Sequence, residues 1–442
     1  MKRRPNSNLE RAVVVAGLVL AGTLSGTAGA GGMMVYELGT ADVGLASAGY
    51  GARAQDASTV FTNPAGMTRL EGNQFLGAGQ LLWANTKFSV GSGTSPELGS
   101  NGGGYVVGDG GWFPGGGAFL SYTASPDVKL GFALAGNFGG TLNYPNDWVG
   151  RYYVQQTWIV GLSFLPSIAW KVNDKLSLGA SLNAMYGIYK DNVAINNLNP
   201  LIGDGRLKLK DEKWGWGANL GLLYEITPAT RLGLTWSSQV NLNFNAPLEF
   251  AGIGPVVSAA LAKTGLLNSS LSVGIKVPQT AMASVYTQID DRWALLGSVG
   301  WQQWSKFGQV QVGIEDISHP TSSITTNIPF KDTWHFAGGA QYRVSEPWLL
   351  NFGIAYDSGF QQSSSQVSPL LPFNTAWRFG VGGQQHLSKT SYWGLFGEYL
   401  YGGTLDTDSH ARPVALGGRG DLVGSYNSTG ILFVGAYYNW TF

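Results

Sequence analysis

At 442 residues the chain has the length of two or three soluble domains, yet no Pro/Ser-rich linker or charge shift divides it, so one large closed unit is expected. Only 12% of residues are charged, 65 are Gly and the formal net charge is zero, a mix that suits a wall facing lipid outside and a packed lumen inside, with no basic stripe for nucleic acid. The absence of Cys excludes disulfides, thiolate metal sites and cysteine nucleophiles.

Residues 1–30 read as an export signal: Lys2, Arg3 and Arg4 at the start, an apolar run from Ala12 to Leu20, and a small-residue cleavage site at Ala28-Gly29-Ala30. The Arg3-Arg4 pair raises a twin-arginine alternative, but Pro5 and Asn6 are not its apolar continuation, which favours the general secretory route. Beyond this segment no run of 18 apolar residues occurs, so a membrane-embedded chain must be a β-barrel.

Residues 31–71 are rich in Ala and Gly and do not alternate, which suits short helices and tight turns; they are expected to form a plug (hatch) inside the lumen of a barrel spanning 72–442. From Gly72 onward about fourteen strand candidates follow, near 72–86, 114–125, 128–141, 156–171, 175–190, 213–227, 230–245, 278–289, 291–305, 330–345, 347–358, 374–388, 390–403 and 429–442. The fold class expected is all-β, a transmembrane antiparallel barrel with an even strand number. Short turns such as Ser125-Pro126-Asp127 and Ser345-Glu346-Pro347 alternate with long loops, which places the turns in the periplasm and the loops outside.

The strands carry aromatic pairs eight positions apart: Trp216/Tyr224, Trp236/Phe244, Trp293/Trp301, Trp334/Tyr342, Trp348/Tyr356 and Trp393/Tyr401. Composition alone predicts about two such coincidences among the Trp residues. An even spacing puts both rings on one face, and eight residues at ~3.3 Å, tilted ~40°, span roughly 20 Å, close to the ~25 Å between the aromatic girdles of an outer-membrane barrel. Between the rings, Trp216, Ala218, Leu220, Leu222 and Tyr224 alternate with Gly217, Asn219, Gly221, Leu223 and Glu225, and Trp348 to Asp357 repeats the pattern. A soluble β-sandwich also alternates, but its buried apolar face needs no ring at each end.

Gly49-Tyr50-Gly51-Ala52, Asp56-Ala57 and Asn63-Pro64-Ala65-Gly66-Met67, ahead of this strand pattern, resemble the FadL/TodX (OmpP1) family of outer-membrane transporters of long-chain fatty acids and hydrocarbons. Similarity extends through Trp214-Gly215-Trp216-Gly217, Trp304-Ser305-Lys306-Phe307 and Phe330-Lys331-Asp332 to the terminal strand. The closing face, Leu432 to the final Phe442, resembles the signal read by the barrel insertion machinery. The resemblance implies capture of a hydrophobic ligand among outer loops, passage to a lumenal pocket, and lateral exit into outer-membrane lipid at a kinked third strand. The plug motif is Asn63, Pro64 and Ala65, and the position matching the kink is Phe138, Gly139 and Gly140, after Asn137. Such a route keeps an apolar chain out of water, at ~0.8 kcal/mol per CH₂. Where fatty-acid carriers place basic residues, local alignment puts Val193 and Thr326, which cannot pair with a carboxylate and so favour neutral hydrocarbons or aromatics. Lys190, Arg206, Lys208 and Lys210 are alternative cations, read more simply as solvated loop charges.

First capture is expected in the loop after the seventh strand, where Phe250, Ile253, Val256, Val257, Leu261 and Leu266 crowd a segment that should face water, opposite Leu201 and Ile202. A cap packed between two loops is the competing reading. For an enzyme, the histidines at 319, 335, 386 and 410 suggest no triad, His335 facing the lumen by parity, and Asp406, Asp408 and His410 lack a fourth metal donor. Neither catalytic residue, metal nor cofactor is therefore assigned, and a monomer is expected. A general diffusion porin for small polar solutes is the rival function; the plug and the apolar loop argue against it.

Overall fold

The computed structural model describes residues 33–108, 110–199, 201–307, 309–315, 323–327 and 330–442, so the expected export signal lies outside the described residues. Fourteen strands form the wall: β1 Gln74–Trp83, β2 Trp112–Ser125, β3 Val128–Asn143, β4 Gln156–Lys171, β5 Leu176–Ile195, β6 Gly205–Thr227, β7 Thr230–Ser237, β8 Thr280–Gln288, β9 Trp293–Gln302, β10 Thr333–Ser345, β11 Trp348–Asp357, β12 Ala376–His386, β13 Ser391–Tyr401 and β14 Gly430–Thr441. Each pairs antiparallel with the next, and β1 closes on β14 from Gln74↔Thr441 to Trp83↔Leu432, so no strand of the wall lacks a neighbour on either side. The lipid face is apolar: Trp216 is 63% exposed and Leu220 50%, while Asn219 between them is buried. In β11 likewise, Trp348, Phe352 and Ile354 point out, and Leu349, Asn351 and Asp357 point in.

One aromatic pair does not obey the girdle rule. The expected seventh strand over 230–245 breaks after Ser237, and its continuation, Val240–Pro247, pairs with Ser270–Val277 in a separate sheet instead of the wall. Phe244 is only 2% exposed and meets Tyr189 with ring centres 5.4 Å apart, so it packs inside the barrel and is no lipid marker. A Cβ at lumen-facing Gly187 would lie 2.7 Å from Leu242, which is why this second sheet can lie flat on the inner face of β5. Alternation cannot distinguish a strand facing lipid from one covering another strand, since both present one apolar face.

Residues 33–70 fill the lumen. The short helices Ala41–Gly44, Thr59–Thr62 and Pro64–Arg69 are nearly all buried, and wall side chains hold their connections: Ser298 Oγ accepts from Gly49 N at 3.0 Å and Ser284 Oγ from Gly51 N at 3.0 Å. Within the plug, Arg53 bridges Asp42 at 3.1 Å and Asp56 at 2.7 Å, all three side chains being buried. At the outer end, Tyr105, Tyr144, Trp148 and Tyr426 form a packed aromatic cap, Tyr144 stacking on Trp148 at 4.1 Å.

Candidate functional site

The Asn63-Pro64-Ala65 motif ties plug to wall. Asn63 Oδ1 caps the turn by accepting from Ala65 N at 3.1 Å, while Nδ2 donates to Gly51 O at 2.6 Å and to the β6 carbonyl of Leu222 at 3.1 Å. The wall makes room with the cross-strand pair Gly179↔Gly221: a Cβ would come 2.3 Å from Ala65 N at the first and 2.0 Å from Asn63 Oδ1 at the second. A second tie is ionic. Arg378 on β12 reaches Asp357 of β11 at 2.6 Å, Glu398 of β13 at 3.0 Å and the plug's Glu37 at 3.1 Å, and Asp357 also meets His335 at 2.7 Å, all of them buried. Parity put His335 and Asp357 in the lumen; nothing in sequence joined them to Glu37, hundreds of residues away. The guanidinium can satisfy several carboxylates at once because its donors lie in a planar fork.

Farther round the barrel the wall is interrupted. β2 and β3 pair from Ser125↔Val128 only as far as Gly117↔Ala135; beyond that β2 stays on β1 and β3 stays on β4. Asn137 is an extra residue between Gly136 and Phe138, and Gly139 adopts φ +102°, which a side chain could not follow because its Cβ would sit 1.8 Å from Ile159 O. The start of the described chain rests on this bulge: Val35 N donates to Asn137 O at 3.1 Å and Gly139 N to Met33 O at 2.7 Å. Outside the joint, a cleft of about 400 Å³ lies between β2 and β3, lined by Phe113, Gly115, Gly117, Leu134, Phe138 and Leu162 among others. Inside it, Met33, Leu82, Phe113, Ile159, Leu370 and Phe373 surround a small apolar cavity that Gly139 and Gly140 also line. A third cavity, behind Met34 and Val35, is lined by Tyr36, Asn137, Asn183, Asn219 and Met282 among others. None of the three is lined by Asp, Glu, Lys or Arg.

Val193 is buried on β5 and lines none of these cavities; Thr326 sits on the strand Ser323–Asn327, paired with Val310. The alternative cations stand elsewhere: Lys190 lies over the Trp158 ring at 4.8 Å, Arg206 donates to Asn146 Oδ1 at 3.2 Å, and Lys208 and Lys210 are exposed.

The capture loops adjoin. Asn197 Nδ2 donates to Gly203 O and Gly252 O, both at 2.9 Å, and its Oδ1 accepts from Gly254 N at 2.6 Å, locking the loop after β5 to the helix Pro255–Lys263. Leu201 is 90% exposed and Val256 64%, with Ile202 exposed beside them, whereas Val257, Leu261 and Leu266 turn into the core and Phe250 and Ile253 are half-buried against it. Pro255 and Val256 on one side of the helix and Val257 and Leu261 on the other follow its 3.6-residue period, so an apolar cluster in sequence divides between a packed and an open face. Nearby, burial opposes the charge on Arg151, but Asp204 at 2.7 Å and Tyr152 beside it hold the guanidinium above its ordinary pKa.

Residues 21–393 match the family model described as outer membrane protein transport protein (OMPP1/FadL/TodX). The chain belongs to the FadL/TodX family. It is 24% identical over 362 residues to the long-chain fatty acid transport protein of Escherichia coli O6:H1, covering 76% of this chain and 79% of that one. It is 26% identical over 397 residues to outer membrane protein P1 of Haemophilus influenzae, covering 81% and 82%. The fold matches a FadL homologue of Pseudomonas aeruginosa with TM-score 0.78 at 21% identity (94% and 100% of the chains), and the Ralstonia pickettii toluene transporter TbuX with TM-score 0.65 at 18% identity (92% and 99%). As a FadL/TodX member this is a bacterial outer-membrane transporter of hydrophobic compounds, and not an enzyme.

Proposed function

We propose that this FadL/TodX protein takes up neutral hydrocarbons or aromatic compounds in preference to fatty acids. They are captured at Leu201, Ile202 and Val256, passed to the cavity at Met33 and Phe113, and released sideways between β2 and β3. The observation that carries this reading is the coincidence of the unpaired wall segment with adjoining cavities that no charged residue lines. A carboxylate there would lose its hydration without gaining a cation, whereas an alkane or arene loses nothing. The names of the relatives, a long-chain fatty acid transport protein and a toluene transporter, bracket that ligand range. Release through the wall lets an apolar molecule avoid the aqueous periplasm, and outer-membrane lipid receives it.

Gly139→Val tests the route. Strain of ~1–3 kcal/mol at a left-handed position, plus the clash with Ile159 O, should straighten or block the bulge. Uptake of radiolabelled toluene or decane by whole cells should fall about tenfold, while surface binding through the outer loops persists; unchanged uptake would remove the lateral route. A general porin instead predicts large, steady planar-bilayer conductance, insensitive to hydrophobic ligands.

A further inference from the structure

The cavity behind Met34 and Val35 gathers three asparagine carboxamides, whereas the apolar cavity has none and the cleft between β2 and β3 only Gln80. Asn183 and Asn219 project into it from adjacent strands, two residues apart in register as Asn183↔Gly217 and Ser181↔Asn219, and Asn137 comes from the bulge of β3. Each is more than nine-tenths buried, at 7%, 7% and 8% exposure. Their Oδ1 atoms have no hydrogen-bond partner, and the cavity contains no ionised side chain to claim them. The ladder beside Asn183 is itself open, pairing of β4 with β5 lapsing between Phe164↔Ala184 and Ser167↔Ser181, where Pro166 has no N–H to give.

Three buried amides left unpaired around one space are costly unless something polar enters it. The space is about 50 Å³, several times the ~10–15 Å³ that one water needs, and so has room for a small head group; the apolar cavity is no larger, at about 40 Å³, and only the cleft of about 400 Å³ between β2 and β3, which shares Val35 with the carboxamide cavity, has room for a chain. It adjoins the apolar cavity across the joined segments, Met33 and Gly139 lining one, and Met34, Val35 and Asn137 the other. Carboxamides offer both donor and acceptor with no charge, which matches a hydroxyl or carbonyl and gives an ionised carboxylate no counter-charge.

From this juxtaposition we infer a second, polar subsite: Asn137, Asn183 and Asn219 hold the neutral hydrogen-bonding head of an amphiphilic ligand, such as an alcohol or ketone, whose apolar body lies past Val35 toward Phe113 and Leu134 in the cleft between β2 and β3. The inference rests on the hydrophobic-transport reading and narrows its ligand class.

The test uses the full-length mature protein in amphipol, equilibrated with decane, decan-1-ol or decanoate at pH 8, bound ligand being counted by gas chromatography after rapid gel filtration. Replacing Asn183→Leu and Asn219→Leu together should weaken decan-1-ol binding about tenfold, the worth of one or two neutral hydrogen bonds, and leave decane binding undiminished, which also reports an intact fold. The single variant Asn219→Leu is read the same way if the double variant does not insert. Undiminished alcohol binding would mean that the asparagines hold water only, and would overturn the subsite; so would decanoate binding more tightly than the alcohol to the native protein. Decane binding without any alcohol preference sinks the subsite alone, whereas failure of all three to bind sinks the transport reading with it.

Discussion

The two sides of the barrel handle the plug in opposite ways. On β10 to β13 the ladders are interrupted only by a bulge between Arg343 and Ser345 at the turn, and Arg378, held by Asp357 and Glu398, reaches inward to clamp Glu37 by charge. On β2 and β3 the ladder stops at Gly117↔Ala135, the lining of the adjoining cavity is uncharged, and among the described residues the chain near Met33 is held by backbone hydrogen bonds to the bulge and apolar contact. Charge in a low-dielectric lumen is strong and directional, so it fixes one side of the plug. Backbone pairing at a bulge is worth far less than a buried ion pair, so the plug's attachment is expected to be weakest where the wall is incomplete.

The contrast breaks most readily at Arg378. Arg378→Leu leaves three buried carboxylates facing one another, and a loss of ~3–5 kcal/mol is expected. Thermal unfolding, followed by heat-modifiable migration in gels, should shift down by many degrees; an unshifted midpoint would show that the ionic side does not anchor the plug. A smaller effect is expected of Asn63→Ala, which removes the cap and the bonds to Gly51 O and Leu222 O, at ~1–3 kcal/mol, and should expose the plug to added protease before the wall unfolds. The smallest belongs to Val35→Pro. It deletes the hydrogen bond to Asn137 O, worth ~1 kcal/mol, so the global unfolding midpoint should hardly move while hydrogen exchange around Phe138 accelerates. If Val35→Pro destabilised the barrel as much as Arg378→Leu, the division into a fixed and a loose side would be wrong.

Several of these features were legible in the sequence for local reasons. Alternation with paired rings marks a wall strand wherever one face meets lipid, as in β6, β9 and β11, and Gly139 beside Gly140 marks a place where the ladder can bend. The capture loop was legible only as composition: Val257, Leu261 and Leu266 read as exposed apolar residues, whereas in the folded chain they join the core beside a segment that Asn197 ties to the neighbouring loop. The ionic clamp carried no local signal, because Glu37, Asp357, Arg378 and Glu398 meet only after the wall closes.

By itself the sequence determined the class of the protein and the period of its wall, since a side chain's preference for lipid or water acts residue by residue and repeats every second position. Tertiary structure decided which strand leaves the wall, as Phe244 does, where the wall stays unpaired beyond Gly117, and which polar side chains share one cavity, as Asn137, Asn183 and Asn219 do. These depend on closing a cylinder around its own N-terminal segment, which brings together residues far apart in the chain and leaves some backbone and amide groups with partners chosen only by that closure.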